Sequence, residues 1–424
     1  MERMLEPEGR RPRDARAVKV TIPVNGVDQG MFVQVRDPGN PVLLFLHGGP
    51  GMPEFWLTHR HPTRMHEAFT VAWWEQRGAG LSHRPDIPAE SMTVGQFIGD
   101  TITVARDLCR RFGVEKVHLM AHSWGSFIGL QAAAKAPELF HSYIGMAQVT
   151  HQITSEQEAY RFMLDAYRAC GEHRMVRRLE RYPVTGDIPL PRGYEVLRDR
   201  AMHRLGVGTT HDMGSVVTGI FLPSLAAPDY TAAEKVALWR GRRFSRRFGL
   251  WDQMLATDLT RLIPQLPIPA YFLHGRHDRT VSYHLARAYA GRLDAPLIGF
   301  YTFQGSAHSP AFEEPDRTLQ ILTQNVLTGT TTLADPLPER GPEEHLDRSH
   351  DHPGTTGQGD RAAVAAGVSA SQPAQEVPRG AERSSGQGAE HDDERQRVGG
   401  HVAEGGNPVG DHEAAQHGCR EDHQ

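Results

Sequence analysis

The sequence predicts an α/β fold in which a mostly parallel central sheet is flanked by helices, and three observations support this. Short, uninterrupted apolar runs occur, as at residues 41–46 and 69–74, and such runs are typical of strands buried on both faces. Segments of helical periodicity alternate with them, which is the pattern of a parallel sheet with crossover helices. Glycine-rich or polar loops follow several runs, and ligands bind at those ends of the strands in such sheets.

The composition excludes several classes of function. The chain has 424 residues and a formal net charge of −5, which gives no reason to expect a nucleic-acid partner or an anionic membrane surface. No apolar run approaches the roughly 18 residues that a membrane helix needs. Three cysteines, Cys109, Cys170 and Cys419, are too few and too scattered for a disulfide framework or a zinc site. We therefore expect a cytoplasmic protein, and the sequence leaves its oligomeric state open.

The chain divides into five predicted segments: a flexible leader (1–16), the first part of an α/β core (17–147), a helical cap (148–262), the second part of the core (263–328) and a disordered tail (329–424). The leader is charged and lacks the apolar stretch of a signal peptide. The cap segment lacks buried strand runs and is too long for a loop. From Thr331 onward the chain has no Phe, Trp, Tyr, Ile, Met or Lys, so it cannot bury enough apolar surface to offset the entropy of ordering.

Eight strands are predicted in chain order: 17–23, 31–37, 41–46, 69–74, 116–120, 142–147, 269–274 and 297–302. The first two are joined by a turn at Asn25-Gly26. The later strands are the apolar runs that indicate burial on both faces.

Helices are predicted between these strands. Thr93 and Gln96 suit a capping box for a helix whose apolar stripe runs from Ile98 to Phe112. A second helix follows at 127–135, and Pro315 begins the last one. Within the cap, helical segments are predicted at 157–163, 174–181, 193–204 and 232–239.

A serine, Ser123, lies in the stretch 119–126, where a predicted strand meets a predicted helix. On such a sharp turn the hydroxyl is lifted clear of the sheet, and the backbone N–H groups that follow point at whatever the oxygen attacks. Gly125 supplies bare backbone where strand and helix pack closely. Ala121 stands where the strict motif has glycine. The pattern predicts a nucleophilic serine.

A serine hydroxyl needs a base to take its proton, and that base needs an acid to fix its tautomer. Both should follow strand ends further along the chain, in the order serine, acid, histidine. Asp278 follows the strand that ends at residue 274, and His308 follows the strand that ends at residue 302. We therefore predict Ser123, Asp278 and His308 as the catalytic residues. His274 and His277 lie close to the acid in sequence and are predicted to be structural.

A glycine-rich loop, His47-Gly48-Gly49-Pro50-Gly51, follows the strand at 41–46. A phosphate-binding role would require a helix with a Lys-Ser/Thr pair, which does not follow. The alternative role is donation of backbone N–H groups to an oxyanion. We predict that Gly49 and Trp124 supply those two donors, one from this loop and one from the residue after the nucleophile.

Three motifs together carry a resemblance to a known family: residues 47–51, 75–82 and 122–126. With them, the segment 18–327 resembles the α/β-hydrolase superfamily and, within it, the proline iminopeptidase branch. The resemblance implies Ser123, Asp278 and His308 as the triad, and Gly49 and Trp124 as oxyanion donors. It also implies no metal or organic cofactor, and a helical cap whose glutamates hold the amino terminus of a substrate. Glu75 stands where the family usually has Asp.

The cap departs from that branch, because the Trp-Glu stretch associated with amino-terminus recognition is replaced by Leu238-Trp239-Arg240-Gly241-Arg242-Arg243. If this cationic stretch faced the pocket, it would repel an ammonium group. The cap also holds carboxylates that are candidates for that role: Glu156, Glu158, Glu195, Asp199, Asp212, Asp229 and Glu234.

The predicted function is therefore a cofactor-free serine hydrolase that acts on a small-molecule or short-peptide ester or amide through an acyl-enzyme. An iminopeptidase-like activity is favoured, and a carboxylesterase or lactonase is the alternative. A non-catalytic ligand-binding receptor is a further alternative, as is cofactor-free oxidative or carbon–carbon chemistry in the same pocket. Epoxide or haloalkane hydrolysis is disfavoured, because it calls for a carboxylate where Ser123 stands.

Overall fold

The computed structural model describes residues 17–337, and the predictions for residues 1–16 and 338–424 lie outside that range. Its strands are β1 Ala17–Val24, β2 Val27–Gln34, β3 Val42–Leu46, β4 Thr70–Trp74, β5 Val117–His122, β6 Phe140–Met146, β7 Ala270–Gly275 and β8 Ile298–Phe303. They form one sheet in the order β1-β2-β4-β3-β5-β6-β7-β8. The predicted strands are all present, and β2 begins earlier than expected because the hairpin turn is tight.

Parallel pairing sets the position of the functional loops. β1 and β2 are antiparallel, β2 pairs antiparallel with β4, and every other neighbouring pair from β4 to β8 is parallel. The carboxyl ends of β3 to β8 therefore lie along one edge of the sheet. Each segment that follows such an end, at residues 47, 75, 123, 147, 276 and 304, begins at that edge.

The helices are α1 Val94–Phe112, α2 Trp124–Lys135, α3 Gln152–Ala169, α4 His173–Glu180, α5 Arg192–Arg204, α6 Leu222–Ala226, α7 Ala232–Ser245, α8 Leu250–Ala256, α9 Leu259–Leu262, α10 Tyr283–Arg292, α11 Pro310–Glu313 and α12 Pro315–Ile321. α1, α2 and α10 to α12 belong to the predicted core, and α3 to α9 fall between β6 and β7. Single π-helical turns at Val217–Phe221 and Leu322–Val326 adjoin α6 and α12.

Two hydrophobic clusters cover the two faces of the sheet. Successive residues of β3 alternate between them: Leu44 and Leu46 pack with α1, α2 and α10, whereas Leu43 and Phe45 pack with α11 and α12. This alternation is the period of a strand, and burial on both faces explains its uninterrupted apolar sequence. A third cluster joins α3, α4 and α5 and gives the region between β6 and β7 a core of its own.

Local details differ from the sequence predictions in several places. The side chain of Thr93 accepts the backbone N–H of Gln96 at the start of α1, but the Gln96 side chain donates to Asp100, so the capping box is half formed. The sequence did not predict α6, α8, α9, α10 or α11. The ordered core extends beyond the predicted boundary at residue 329, because the backbone N–H of Asp335 donates to Phe300 O at 2.8 Å.

Candidate active site

Ser123 occupies the turn between β5 and α2. Its backbone has φ 54° and ψ −118°, a combination that side-chain-bearing residues rarely adopt. The backbone N–H of Ser123 donates to Met146 O, and Ser123 O accepts the N–H groups of Ser126 and Phe127. These bonds hold the turn in its strained conformation, as is common at functional sites.

Close approach of α2 to the sheet depends on glycine. A Cβ added to Gly125 would lie 2.4 Å from the carbonyl oxygen of Leu46, so no side chain fits there. A Cβ added to Gly129 would lie 2.9 Å from the Cβ of Ala121. The methyl group of Ala121, which departs from the strict motif, is therefore accommodated by a glycine one turn further along α2.

Asp278 and His308 form a buried pair at the ends of β7 and β8. His308 Nδ1 lies 2.9 Å from Asp278 Oδ2, and Asp278 Oδ1 accepts the backbone N–H groups of Thr280 and Val281 at 2.8 and 2.9 Å. Burial alone would raise the pKa of Asp278, but His308 and His274 hold it well below its ordinary value. Since the carboxylate only accepts, the Nδ1 atom of His308 carries the proton and Nε2 is left free.

The two neighbouring histidines take different positions. His274 Nε2 lies 3.3 Å from Asp278 Oδ2, so this side chain helps to hold the acid. His277 stacks on His211 with ring centroids 4.2 Å apart. Burial lowers the pKa of His308, as does the charge of His122, and Asp278 opposes both.

Ser123 and His308 line one cavity of about 580 Å³ between the edge of the sheet and helices α5, α7 and α8. The Ser123 side chain is half-buried, and that of His308 is buried. Among the described residues no hydrogen bond joins the serine hydroxyl to the imidazole, a common condition in sites without substrate. The structure thus brings the predicted base and acid into contact, and the predicted nucleophile into the same cavity.

Hydrogen bonds of His47 and Gln76 hold the loop at residues 47–51 in place. His47 Nδ1 donates to Gly48 O at 2.7 Å, and His47 Nε2 accepts the backbone N–H of Gln76 at 3.0 Å. The side chain of Gln76 donates to His47 O and accepts the indole N–H of Trp124. Gln76, in the second motif, therefore ties the loop to the serine turn, a role that the sequence did not indicate.

The two predicted oxyanion donors, Gly49 and Trp124, lie in the loop after β3 and at the start of α2. Gly48 N–H donates to Glu54 Oε1 at 2.8 Å, which leaves the N–H of Gly49 as the next donor along the loop. Gly49 is exposed at the cavity wall, has φ +123° and precedes a cis bond to Pro50. Trp124 is the first residue of α2, where N–H groups have no intrahelical acceptor. Gly51 packs against Ser245 of α7.

A second carboxylate–imidazole pair, Glu54 and His122, was not predicted from the sequence. His122 Nδ1 lies 2.8 Å from Glu54 Oε1, and His122 Nε2 lies 2.8 Å from the backbone oxygen of His308. Burial disfavours the charged form, yet Glu54 raises the pKa of His122, and His122 in turn holds the pKa of Glu54 low. Both side chains line the cavity beside Ser123.

Charges of both signs line the outer part of the cavity. Of the cationic stretch 238–243, Arg242 lines the cavity, and Arg246 joins it one turn later. Three carboxylates face the same space, namely Glu195, Asp199 and Asp252. Glu156, another candidate, is buried in ion pairs with Arg198. The arginines therefore do face the pocket, but carboxylates accompany them.

No helix in residues 17–337 combines the length and apolar character that a bilayer crossing requires. Over the same range, no group of three or more His, Cys, Asp or Glu side chains is arranged to hold a metal ion.

The fold and cavity define a hydrolase of the α/β class. Residues 41–315 match the family described as alpha/beta hydrolase fold, and the chain belongs to that family. It is 29% identical over 309 residues to the probable aminopeptidase YbaC of Bacillus subtilis (strain 168), covering 73% of this chain and 96% of the relative. It is 23% identical over 285 residues to a proline iminopeptidase of Thermoplasma volcanium, and this match covers 66% of this chain and 87% of the relative. A shorter match is 29% identical over 114 residues to Epoxide hydrolase 1 of Caenorhabditis elegans. It covers 27% of this chain and 26% of the relative.

Proposed function

We propose that this protein is a cofactor-free serine hydrolase that cleaves a small ester or amide through an acyl-enzyme. The observation that carries the proposal is the placement of Ser123 and the Asp278–His308 pair. All three follow parallel strand ends, the pair is hydrogen-bonded, and Ser123 and His308 line one cavity. These residue types in this arrangement suit nucleophilic catalysis.

The proposed reaction has two halves. His308 Nε2 takes the proton of the Ser123 hydroxyl as Oγ attacks the substrate carbonyl carbon, and the oxygen accepts the N–H groups of Gly49 and Trp124. His308 then gives that proton to the leaving amine or alcohol as its bond to the carbonyl carbon breaks. Water, deprotonated by His308, attacks the carbonyl carbon of the acyl-enzyme. The bond from that carbon to Ser123 Oγ then breaks, which releases the carboxylic acid product, and His308 returns the proton to Oγ. Asp278 keeps the proton of His308 on Nδ1 throughout.

The backbone of Ser123 argues against a non-catalytic receptor. A residue with φ 54° costs roughly 1–3 kcal/mol and persists where its conformation serves a function. A binding pocket without turnover has no use for a hydroxyl presented in this way.

Labelling with a fluorophosphonate tests the proposal. We expect covalent modification of Ser123 in the full-length protein and hydrolysis of a p-nitrophenyl ester, both abolished in Ser123→Ala. Ser91→Ala, at a serine outside the cavity, is the control and should still be labelled. Full ester turnover by Ser123→Ala would overturn the proposal.

Within this class we favour an aminopeptidase. The observation that supports it is Glu195, a half-buried carboxylate on the cavity wall that forms no ion pair within the described residues. Burial raises the pKa of Glu195, so a substrate ammonium would relieve an unfavourable charge. The alternative, a carboxylesterase or lactonase, is supported by Arg242 and Arg246, which suit an anionic substrate group.

Comparison of proline p-nitroanilide with a short uncharged acyl ester separates the two. For an aminopeptidase, Glu195→Gln should raise KM for the anilide about tenfold, because the variant loses one partly desolvated ion pair with the substrate ammonium. KM for the ester should stay unchanged. Glu138→Gln, outside the cavity, is the control. An ester-only enzyme whose KM is insensitive to Glu195→Gln would favour the esterase.

A further inference from the structure

The carboxylate of Glu54 connects three loops of the site. Its Oε1 atom accepts the N–H of Gly48 and lies 2.8 Å from His122 Nδ1. The other ring nitrogen of His122 lies 2.8 Å from the backbone oxygen of His308. A single chain of contacts thus runs from the loop at residues 47–51, through the residue before Ser123, to the loop that carries the base.

The partners of His122 fix its protonation state. A backbone carbonyl can only accept, so Nε2 must carry a hydrogen. Glu54 Oε1 already accepts from Gly48, and a bare Nδ1 at 2.8 Å would place two lone pairs against each other. One hydrogen must therefore lie between these two atoms. It rests on Nδ1, because the charge of Glu54 raises the pKa of His122 and His122 holds the pKa of Glu54 low. His122 is an imidazolium, and Glu54 is the carboxylate that balances it.

We propose that the Glu54–His122 ion pair is a positioning device for the hydrolysis, holding the oxyanion loop and the His308 backbone in register with Ser123. The inference rests on the proposed serine-hydrolase function. In this positioning role, neither Glu54 nor His122 forms or breaks a bond with substrate.

The first end of the device acts on the oxyanion site. Glu54 accepts the N–H of Gly48, which fixes the His47–Gly48 peptide plane, and His47 Nδ1 donates to Gly48 O in the next peptide, which carries the N–H of Gly49. The fit is close: a Cβ on Gly48 would lie 2.9 Å from Glu54 Oε1 and 3.3 Å from Ser123 Cβ. Donors that stabilise an oxyanion must be in place before charge develops, because reorganisation would cost part of the stabilisation.

The second end acts on the base. The imidazolium donates to the backbone oxygen of His308, and the two rings lie 4.7 Å apart between centroids. The backbone N–H of His308 donates to Gly208 of the cap at 3.3 Å, so both peptide groups beside this residue are held. A positive neighbour also disfavours a second resting charge on His308, which keeps the base neutral until Ser123 loses its proton.

Substitution of Glu54 tests the kinetic consequence. Glu54→Gln keeps the acceptor for Gly48 but removes the counter-charge, so burial drives His122 to its neutral form and one of its two hydrogen bonds is lost. We expect kcat on a p-nitrophenyl ester to fall about a hundredfold, the effect of a small misplacement of reacting groups, with KM nearly unchanged. The double variant Glu54→Gln/His122→Asn should lose no more than either single variant, because the two act as a unit.

Asp100→Asn is the matched control. It breaks another fully buried ion pair, Arg77–Asp100, which does not line the cavity. That variant should lower the melting temperature while each folded molecule keeps wild-type kcat. If Glu54→Gln keeps kcat within twofold of wild type, or if the two single losses add, the positioning role is wrong.

A second measurement is independent of turnover. In ¹⁵N-histidine-labelled full-length protein, the His122 ring, assigned by its loss in His122→Asn, should show two protonated nitrogens at mildly alkaline pH. A neutral ring there overturns the proposal even if the enzyme is active. Conversely, absence of fluorophosphonate labelling at Ser123 would refute the hydrolase assignment and leave the spectroscopic result standing, so the two failures are distinguishable.

Discussion

Two imidazoles lie side by side in this cavity with opposite protonation, and their immediate partners explain the difference. Burial favours the neutral ring in both His122 and His308. Each nitrogen of His122 faces an acceptor, so both must carry hydrogen. His308 faces one acceptor, Asp278, and its second nitrogen is open to the cavity. One ring is therefore a fixed cation, and the other is an available base.

The pH dependence of kcat/KM should reflect the state of His308. Burial and the charge of His122 lower the pKa of His308, and Asp278 only partly offsets them. Since the base acts in its neutral form, we expect activity to persist below the ordinary pKa of histidine and then fall. An ester assay across the acidic range measures that midpoint. A midpoint above the ordinary value would contradict the assignment of His308 as a buried base beside a cation.

Asp278→Asn should reduce kcat about ten-thousandfold, as loss of the orienting carboxylate does in serine hydrolases. The amide can donate to Nδ1, which stabilises the tautomer that has no free base at Nε2. Circular dichroism should show the fold retained, since the backbone N–H groups of Thr280 and Val281 keep an acceptor. Asp316→Asn, on the surface, is the control and should leave kcat unchanged. Wild-type turnover by Asp278→Asn would contradict the predicted role of the acid.

At the scale of elements, the contact between α2 and the sheet leaves no room for an added side-chain atom. Gly125→Ala places a Cβ 2.4 Å from a backbone oxygen that cannot move without shifting β3. We expect a loss of roughly 1–3 kcal/mol in the free energy of unfolding, together with lower activity because the serine turn moves. Gly95→Ala, in α1 with no atom within 4 Å, is the matched control and should stabilise by about 0.5–1 kcal/mol. Denaturant unfolding measures both, and equal effects would show that packing is not the cause.

The sequence predicts elements well where one physical signal dominates. The strands from β3 onward were predicted because apolar runs mark strands buried on both faces, whereas the first two were predicted around the turn at Asn25-Gly26. The serine, acid and base were predicted by the rule that parallel strands present their carboxyl ends at one edge. α10 was missed because its apolar residues follow the predicted acid without a strong periodic stripe. Whether the three predicted residues act together remains a prediction for the assays above.

Contacts between loops have no comparable pattern in the sequence that would predict them. Glu54 lies beyond the glycine-rich loop and at no strand end, so its approach to His122 follows only from the folded path of residues 48–54. His122 was part of the motif, but its partners lie 68 and 186 residues away. The cap charges show the same limit: the run 238–243 is visible in the sequence, but which arginine faces the cavity depends on the orientation of α7.

At the scale of the whole molecule, Glu75 connects the core to the cap. This buried carboxyl group accepts the hydroxyl of Tyr230, between α6 and α7, and the backbone N–H of Leu81. The extra methylene of Glu, where the family usually has Asp, extends the side chain toward the cap. The carboxyl group is thus shared by two parts of the chain far apart in sequence, and its charge bears on how well they hold together.

That charge predicts how stability depends on pH. Burial raises the pKa of Glu75 from its ordinary 4.5 to about 7, despite the hydrogen bonds from Tyr230 and Leu81. The folded protein therefore keeps a proton that the unfolded chain loses at lower pH. Its contribution is fully present below pH 4.5 and is lost as the pH rises through about 7. Burial likewise raises the pKa of Glu313 to about 7, so both groups act in the same direction.

Between mildly acidic pH and pH values above 7, we therefore expect the melting temperature of the wild type to fall relative to that of Glu75→Gln. Glu75→Gln stays neutral throughout: its oxygen can accept the N–H of Leu81, and its amide NH2 can donate to the hydroxyl oxygen of Tyr230. The contribution of Glu75 to the pH dependence is therefore absent from this variant. Calorimetry of both proteins across this range measures the difference. Glu67→Gln is the control, because Arg64 holds the pKa of that carboxyl low and its removal cannot flatten the curve in this window. Parallel curves for wild type and Glu75→Gln would show that Glu75 is ionised in the folded protein and that its link to the cap is independent of pH.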